Sequence, residues 1–297
     1  MSRTLRRLLG AAAFAVALAT AMPTERAHAA ELHPDVVAAE AAFVADDLDA
    51  SDAAIARRLA ENPDDIEALW RKARNLYQRG ELIAQAGGTA SQRLKMYQDA
   101  EKIAKRIQAI DPNHPQGWFW QGTALGRIAT AQGIMSSLFM ADDIEALWLK
   151  ASRMKGYQYR SANDQSSFPG DVYFALGQFY RLCPDWMMVK LLVGTKGDID
   201  ESIRWLRKGV AFSPARPEMA KELGVSLLCK ASRDGDTGSV AEGKKWLQKA
   251  AAMPSHKATD HIDKKQIPII LAKSEDACGY SRDGWQDMSK EAYEKHN

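Results

Sequence analysis

Residues 173–214 read YFALGQFYRLCPDWMMVKLLVGTKGDIDESIRWLRKGVAFSP, and two helical stretches stand out in them. In the first, Tyr173, Leu176, Gly177 and Tyr180 recur at spacings of three and four, which places them on one face of a helix. In the second, Ser202, Leu206 and Gly209 share a face, and Pro214 closes the helix because proline lacks an N–H and restricts the residue before it. Glycine at 177 and 209 lets two helices approach closely, while the large residues fill the remaining space. The segment is a helical hairpin, and its apolar face needs neighbours.

The same offsets recur along the chain. A helix from Ile66 carries Trp70, Ala73 and Tyr77; after a gap at Gly87-Gly88, Ala100, Ala104 and Ile107 lead to Asp111-Pro112-Asn113. Trp118, Gly122 and Leu125 begin the next unit, whose second helix lies around Ile144 to Ala151. Ala220, Leu223, Gly224 and Leu227 begin a further one, followed by Gly243, Leu247, Ala250 and Pro254. Ser51 to Pro63 reads as a lone second helix upstream, and Thr259 to Asp276 as a capping helix downstream. This pattern resembles the tetratricopeptide (TPR) repeat, a helix pair of about 34 residues. The expected fold is therefore all-α, a TPR-like helix-turn-helix solenoid of about four degenerate repeats with inserts and a C-terminal capping helix. No strand pattern competes, because Val, Ile and Thr are scattered and Ala is abundant. The expected boundaries are a signal peptide over 1–29, N-terminal helices over 30–65, the repeat array over 66–254, and the cap and tail over 255–297.

Arg3, Arg6 and Arg7 precede a short apolar stretch from Leu8 to Ala21, and Ala27-His28-Ala29 offers small residues to a signal peptidase. The stretch is shorter than the roughly 20 apolar residues of a membrane span. A mature chain beginning at Ala30, periplasmic or secreted, without an integral membrane segment, is the expectation. The full chain has a net charge of +2, but its first thirty residues hold four of the 40 bases and one of the 38 acids, so the remainder carries −1. Nothing in that balance calls for nucleic acid or an anionic membrane surface, so no nucleic-acid partner is expected. Cys183, Cys229 and Cys278 permit one disulfide and one thiol, and the spacing leaves the pairing open.

Two inserts interrupt the repeats. One runs from Gly133-Ile134-Met135 through Leu138-Phe139-Met140 to Ala141-Asp142-Asp143-Ile144, and the other spans Leu182 to Gly194 around Trp186. Together with Leu206-Arg207-Lys208 they resemble the bacterial members of the regulator-of-microtubule-dynamics family, a divergent TPR group, over Ile66 to Met253. The resemblance implies the fold and not a microtubule role. The chain is also similar to the periplasmic TPR component associated with TRAP-type solute transporters, although it lacks that component's lipid-accepting cysteine.

No catalytic constellation emerges: HExxH, GxSxG and Walker patterns are absent from the sequence. Gly194-Thr195-Lys196-Gly197 reads as a turn before a helix starting near Asp198. Asp234 to Gly238 looks like the front of a calcium loop, but its twelfth position is Lys245, where a bidentate Glu is needed. His256 and His261 with Asp260 and Asp263 read as solvated residues at a helix start. No metal, cofactor or catalytic residue is expected, and the chain reads as a non-enzyme.

A TPR array binds through the concave face lined by its first helices. Groove-facing offsets fall at Arg71, Asn75 and Gln78; at Phe119, Trp120, Thr123 and Arg127; at Phe174, Gln178 and Arg181; and at Lys221. Trp186, Met187 and Met188 form an apolar insert suited to a groove or a partner. Aromatic surface with several donors suits an extended peptide or a small carboxylate ligand. The leading expectation is an exported scaffold binding a protein or peptide partner in an envelope complex. A small-molecule accessory of a solute transporter stands second and a helical cell-wall hydrolase a distant third. An open groove favours the first, and a closed pocket the second.

Overall fold

The computed structural model describes residues 32–132, 138–185, 190–191, 194–282 and 284–286. The expected signal peptide over 1–29 and the insert contact at Trp186, Met187 and Met188 lie outside the described residues. Among the described residues there are eleven α-helices: α1 (Pro34–Val44), α2 (Leu48–Glu61), α3 (Ile66–Gln85), α4 (Ala90–Ile110), α5 (Pro115–Gln132), α6 (Ala141–Arg153), α7 (Gly170–Leu182), α8 (Ile199–Phe212), α9 (Pro217–Asp234), α10 (Thr237–Ala252) and α11 (Ala258–Ala272). They pack in sequential pairs, α1 with α2 through α9 with α10, and α11 covers the last pair. The fold is an all-α TPR-like solenoid. Ser51 to Pro63 is not a lone helix, because α1 is its partner: the Ser51 hydroxyl donates to the Ala39 carbonyl at 2.9 Å across that pair.

Local chemistry sets the boundaries. Asp47, Asp65 and Asp198 cap α2, α3 and α8 by accepting N–H bonds from the first turn, and Thr89 with Gln92 forms a capping box on α4. Proline opens α1, α5 and α9, where its missing N–H costs nothing. Gly235, with φ of 69°, ends α9 in the left-handed conformation that glycine adopts freely. The resemblance of Asp234 to Gly238 to a calcium loop resolves into this stop and the Asp236 cap of α10.

Small residues set the distance within each pair. A Cβ at Gly177 would collide with Leu206 of α8, and the Gly177 carbonyl accepts the Ser202 hydroxyl at 2.6 Å. Gly122 against Trp148 and Gly224 against Leu247 repeat the arrangement in the neighbouring pairs. One core runs from Leu69 and Trp70 through Phe119, Trp120 and Trp148 to Leu176, and a second gathers Leu206, Leu223, Leu247 and Ile270.

Two segments outside the repeat depart from the expectation of no sheet. Tyr159–Arg160 (β1) pairs antiparallel with Ser167–Phe168 (β2), and Tyr280–Ser281 (β3) with Gly284–Trp285 (β4). The second ladder belongs to a tail that folds back on α9, joined to it by the disulfide between Cys229 and Cys278. Cys183 is the thiol left over. Arg181 holds the same tail, donating to the carbonyls of Cys278 at 3.1 Å and Tyr280 at 2.6 Å while its other nitrogen meets Glu222 at 2.6 Å.

The two ends of the solenoid meet. The Ala258 N–H donates to the Asp46 carboxylate at 3.2 Å, and Gln165 bridges the carbonyls of Val44 and His256 at 3.0 and 2.9 Å. Arg282 reaches Glu81 of α3 at 3.5 Å across 201 residues of sequence. The array is therefore curled onto itself through its cap. No described helix is long and apolar enough to cross a membrane.

Candidate functional site: a cavity inside the curl

A cavity of about 390 Å³ lies on the concave side, within the range of small-molecule sites. Its apolar wall comes from α5, α6 and α7. Phe119 and Trp120 stand edge to face at 5.0 Å, and Trp148 meets Phe179 at 6.1 Å. Trp118, the residue at the TPR signature position, does not line the cavity; it is half-buried against the core, its N–H donates to the Pro112 carbonyl at 2.9 Å, and Lys150 sits over its ring. The three adjacent aromatics divide as helical geometry requires, about 100° apart.

The opposite wall is polar and comes from elements far apart in sequence. Arg74 and Gln78, one turn apart on α3, line it with Gln165, Arg216, Glu218, Lys257, Thr259 and Arg282. Arg216 pairs with Asp171 and Glu218, and Lys257 with Glu218 at 3.2 Å. Burial alone would raise the Glu218 carboxyl, but Arg216, Lys257 and Arg282 outweigh it and hold it far below the ordinary carboxylate range. Arg282 forks onto Asp263 at 3.0 and 2.8 Å, and Asp263 also takes Lys221 at 2.6 Å. Glu218, Asp260 and Asp263 cluster within 4.8 Å. Cations already occupy Glu218 and Asp263, and Asp260 accepts the backbone N–H groups of His256 and Lys257. The expectation that Asp260 and Asp263 are solvated is thus corrected: both are about 1% exposed, because the tail and α9 close over them.

Seven of the expected groove residues line this cavity: Gln78, Phe119, Trp120, Thr123, Arg127, Phe174 and Gln178. Arg71, Asn75, Arg181 and Lys221 stand behind the wall, all fully or almost fully buried. Arg71 is held between Glu40 at 2.9 Å and Glu67 at 2.7 Å, and Asn75 donates to Ser51 and Asp52. The face of α3 that carries them turns toward the preceding pair, whose first helix carries no repeat signature. The face one residue earlier, with Arg74 and Gln78, looks into the cavity. Arg181 and Lys221 would face the groove of an uncapped array, but the tail covers them. Gln165, Lys257, Thr259 and Arg282 carry no periodic signal, and only the spacing of Arg74 to Gln78 marks a face in the sequence.

Several polar atoms of lining residues have no hydrogen-bond partner among the described residues: Nε and Nη2 of Arg74, Nε2 of Gln78, Nε1 of Trp120, Oε1 of Gln165 and Oγ1 of Thr259. All five side chains are at least nine-tenths buried. Buried polar atoms without partners are costly, so their convergence on one cavity marks a place for a ligand.

No protein-family model and no curated protein matches the sequence. Among solved structures, the chain is similar to TTC0263, a thermophilic TPR protein in Thermus thermophilus, at a TM-score of 0.50 and 17% identity over 81% of this chain and 96% of that one. Two crystal structures of MamA are less similar, at TM-scores of 0.35 and 0.36, with 16% identity, over 73% and 72% of this chain and 92% and 96% of theirs. The likeness to the Thermus protein is one of fold: this chain shares the TPR architecture.

Proposed function

We propose that this chain is an exported, non-enzymatic TPR-fold binding protein that holds a small solute in the cavity inside its curl, as an accessory of a solute transporter. The observation that supports this reading most is that the two ends of the array meet across the concave face, where Arg282 of the tail meets Glu81 of α3 and Ala258 meets Asp46. An extended peptide laid along a TPR groove needs that face open from end to end. The similarity to the TPR component of TRAP-type transporters agrees with such a role, as does the basic, apolar and small-residue order of the N-terminus.

The test is a thermal-shift series on the mature chain, from Ala30, with small organic solutes on one side and extended peptides on the other. Small solutes should raise the melting temperature. Filling the cavity by Ala175→Trp should remove that rise while leaving the unliganded protein folded. If peptides alone stabilise the chain, the protein or peptide scaffold of an envelope complex is the function instead. Export is tested separately: the periplasmic form should begin at Ala30, and a membrane-bound species retaining Met1 would refute it.

A further inference from the structure

The donors left without partners point to a ligand chemistry, and the argument rests on the cavity being the binding site. Arg74 is 3% exposed and lies over the Phe43 ring, its guanidinium carbon 3.4 Å from the centroid. Its Nη1 is fixed by Glu40 at 3.0 and 3.1 Å. The Nε and Nη2 atoms, which form the other edge of the fork, have no partner among the described residues. Two parallel N–H groups on one edge match the two oxygens of a carboxylate, and the contact with Phe43 leaves that in-plane direction free.

Two further donors stand beside this edge. Gln78 lies four residues on, on the same face of α3, and its Nε2 has no partner. Trp120 presents an equally unpartnered Nε1, and its ring is 6.0 Å from that of Tyr77, the neighbour of Gln78 on α3. Arg74, Arg127, Arg216, Lys257 and Arg282 line the cavity together with the acids Asp171 and Glu218, among the described residues. Glu40, Glu81 and Asp263 stand behind the wall and pair with Arg74, Arg127 and Arg282. Cations and acids are thus matched in number, and the unpartnered edge of Arg74, rather than an excess of charge, leaves a place for an anion.

We propose that the cavity binds a small organic carboxylate, its head on the Arg74 edge with Gln78 and Trp120, and its apolar or aromatic body against Phe119, Trp148 and Phe179. The unpartnered Oε1 of Gln165 and Oγ1 of Thr259 lie where the cap joins the first helix pair, and they take a polar group on the same ligand. An acceptor that is left unpaired when the group is missing discriminates strongly, so Gln165 favours ligands carrying a hydroxyl or amine donor. Arg74 selects the anion, and Gln165 tunes the choice among anions.

The experiment titrates the mature chain by calorimetry with 3-phenylpropionate and octanoate, each compared with its primary amide. At least one acid should bind, with a dissociation constant at least tenfold below that of its amide. Arg74→Lys keeps the charge opposite Glu40 but loses the fork, and it should erase the preference while circular dichroism stays unchanged. Gln78→Leu and Trp120→Phe remove one donor each without touching Glu40, and each should weaken the acid several-fold and the amide by less, because hydrogen bonds to a charged acceptor are the stronger ones. If acid and amide bind equally to the wild type, or if all three variants keep the preference, the carboxylate assignment is wrong and the cavity reading survives. If neither acid nor amide binds while small solutes of other chemistry stabilise the chain, the assignment again falls alone. If no small solute stabilises it, both fall together.

Discussion

Gly177 shows how a single hydrogen atom spaces two helices. The Cβ of any larger residue would run into Leu206, and the close approach also brings the Ser202 hydroxyl onto the Gly177 carbonyl. Gly177→Leu gains about 1 kcal/mol of helix propensity, but overpacking costs about 1–3 kcal/mol and forfeits that hydrogen bond, so urea unfolding should show a net loss. An unchanged or higher midpoint would mean that the α7–α8 contact is misplaced. At Glu67, burial favours the neutral acid, yet the hydrogen bond with His114 and the Arg71 guanidinium prevail and lower its pKa from 4.5 to about 2. A depressed carboxyl stabilises the fold above its unfolded pKa and loses that contribution as pH falls through the folded one. The shift corresponds to about 3 kcal/mol. Glu67→Gln should therefore cost about that much at pH 7, and the two proteins should converge toward pH 2. Parallel stability curves across that window would show that Glu67 is not the responsible group. Trp120, read from the sequence as a groove residue, is both lining and core, so Trp120→Ala should cost about 3–5 kcal/mol and cannot by itself report on binding.

Among the elements, the tail after α11 departs furthest from the repeat. Its described residues form one 3-10 turn, Ser274–Gly279, and no α-helix, and it is held by the Cys229–Cys278 disulfide and by Arg181 on its carbonyls. Closing a loop across 49 residues removes about 4 kcal/mol of chain entropy from the unfolded state in the simplest model. Reduction should therefore lower the melting temperature, and hydrogen exchange should accelerate first over residues 274–286; uniform acceleration would show that the bond staples the whole fold rather than the tail. Cys183 behaves differently. Burial and the nearby Glu145 push its thiol up to about 12, so it should resist a thiol reagent at pH 8 and react only after denaturation. Rapid labelling of the native protein would contradict that environment.

At the scale of the molecule, one side chain carries most of the charge pairing that closes the curl, beside the contacts of Asp46 and Gln165. Arg282 neutralises Asp263, Glu218 and Glu81, which belong to the cap, α9 and α3. Removing one member of a buried charge network leaves the others uncompensated, at about 3–5 kcal/mol. Arg282→Leu should lose that much stability and should also speed hydrogen exchange in α1 and α2, far from the substitution in sequence. Loss of stability without faster exchange there would show that the ends meet through Asp46 and Gln165 alone.

The helix pairs were legible in the sequence because their information is local. Glycine spacing, Asp and Thr caps, and prolines at helix ends act within one or two turns, and the boundaries of α3 and α8 follow from Ile66 and Asp198. Part of the candidate site was legible for the same reason, since Phe119, Trp120, Thr123, Phe174 and Gln178 lie on faces that the repeat offsets define. The rest depends on how far the solenoid turns. Whether Arg71 or Arg74 looks inward is a matter of rotation about one helix axis, at about 100° per residue. That choice was decided by the packing of α1 and α2 against α3, where Glu40 captures Arg71 and shares Arg74. Likewise, whether the concave face is a groove or a cavity depends on contacts such as Arg282 with Glu81 and Gln165 with Val44 and His256. Those partners lie 91 to 201 residues apart, and no periodicity links them, so tertiary packing alone could bring them together.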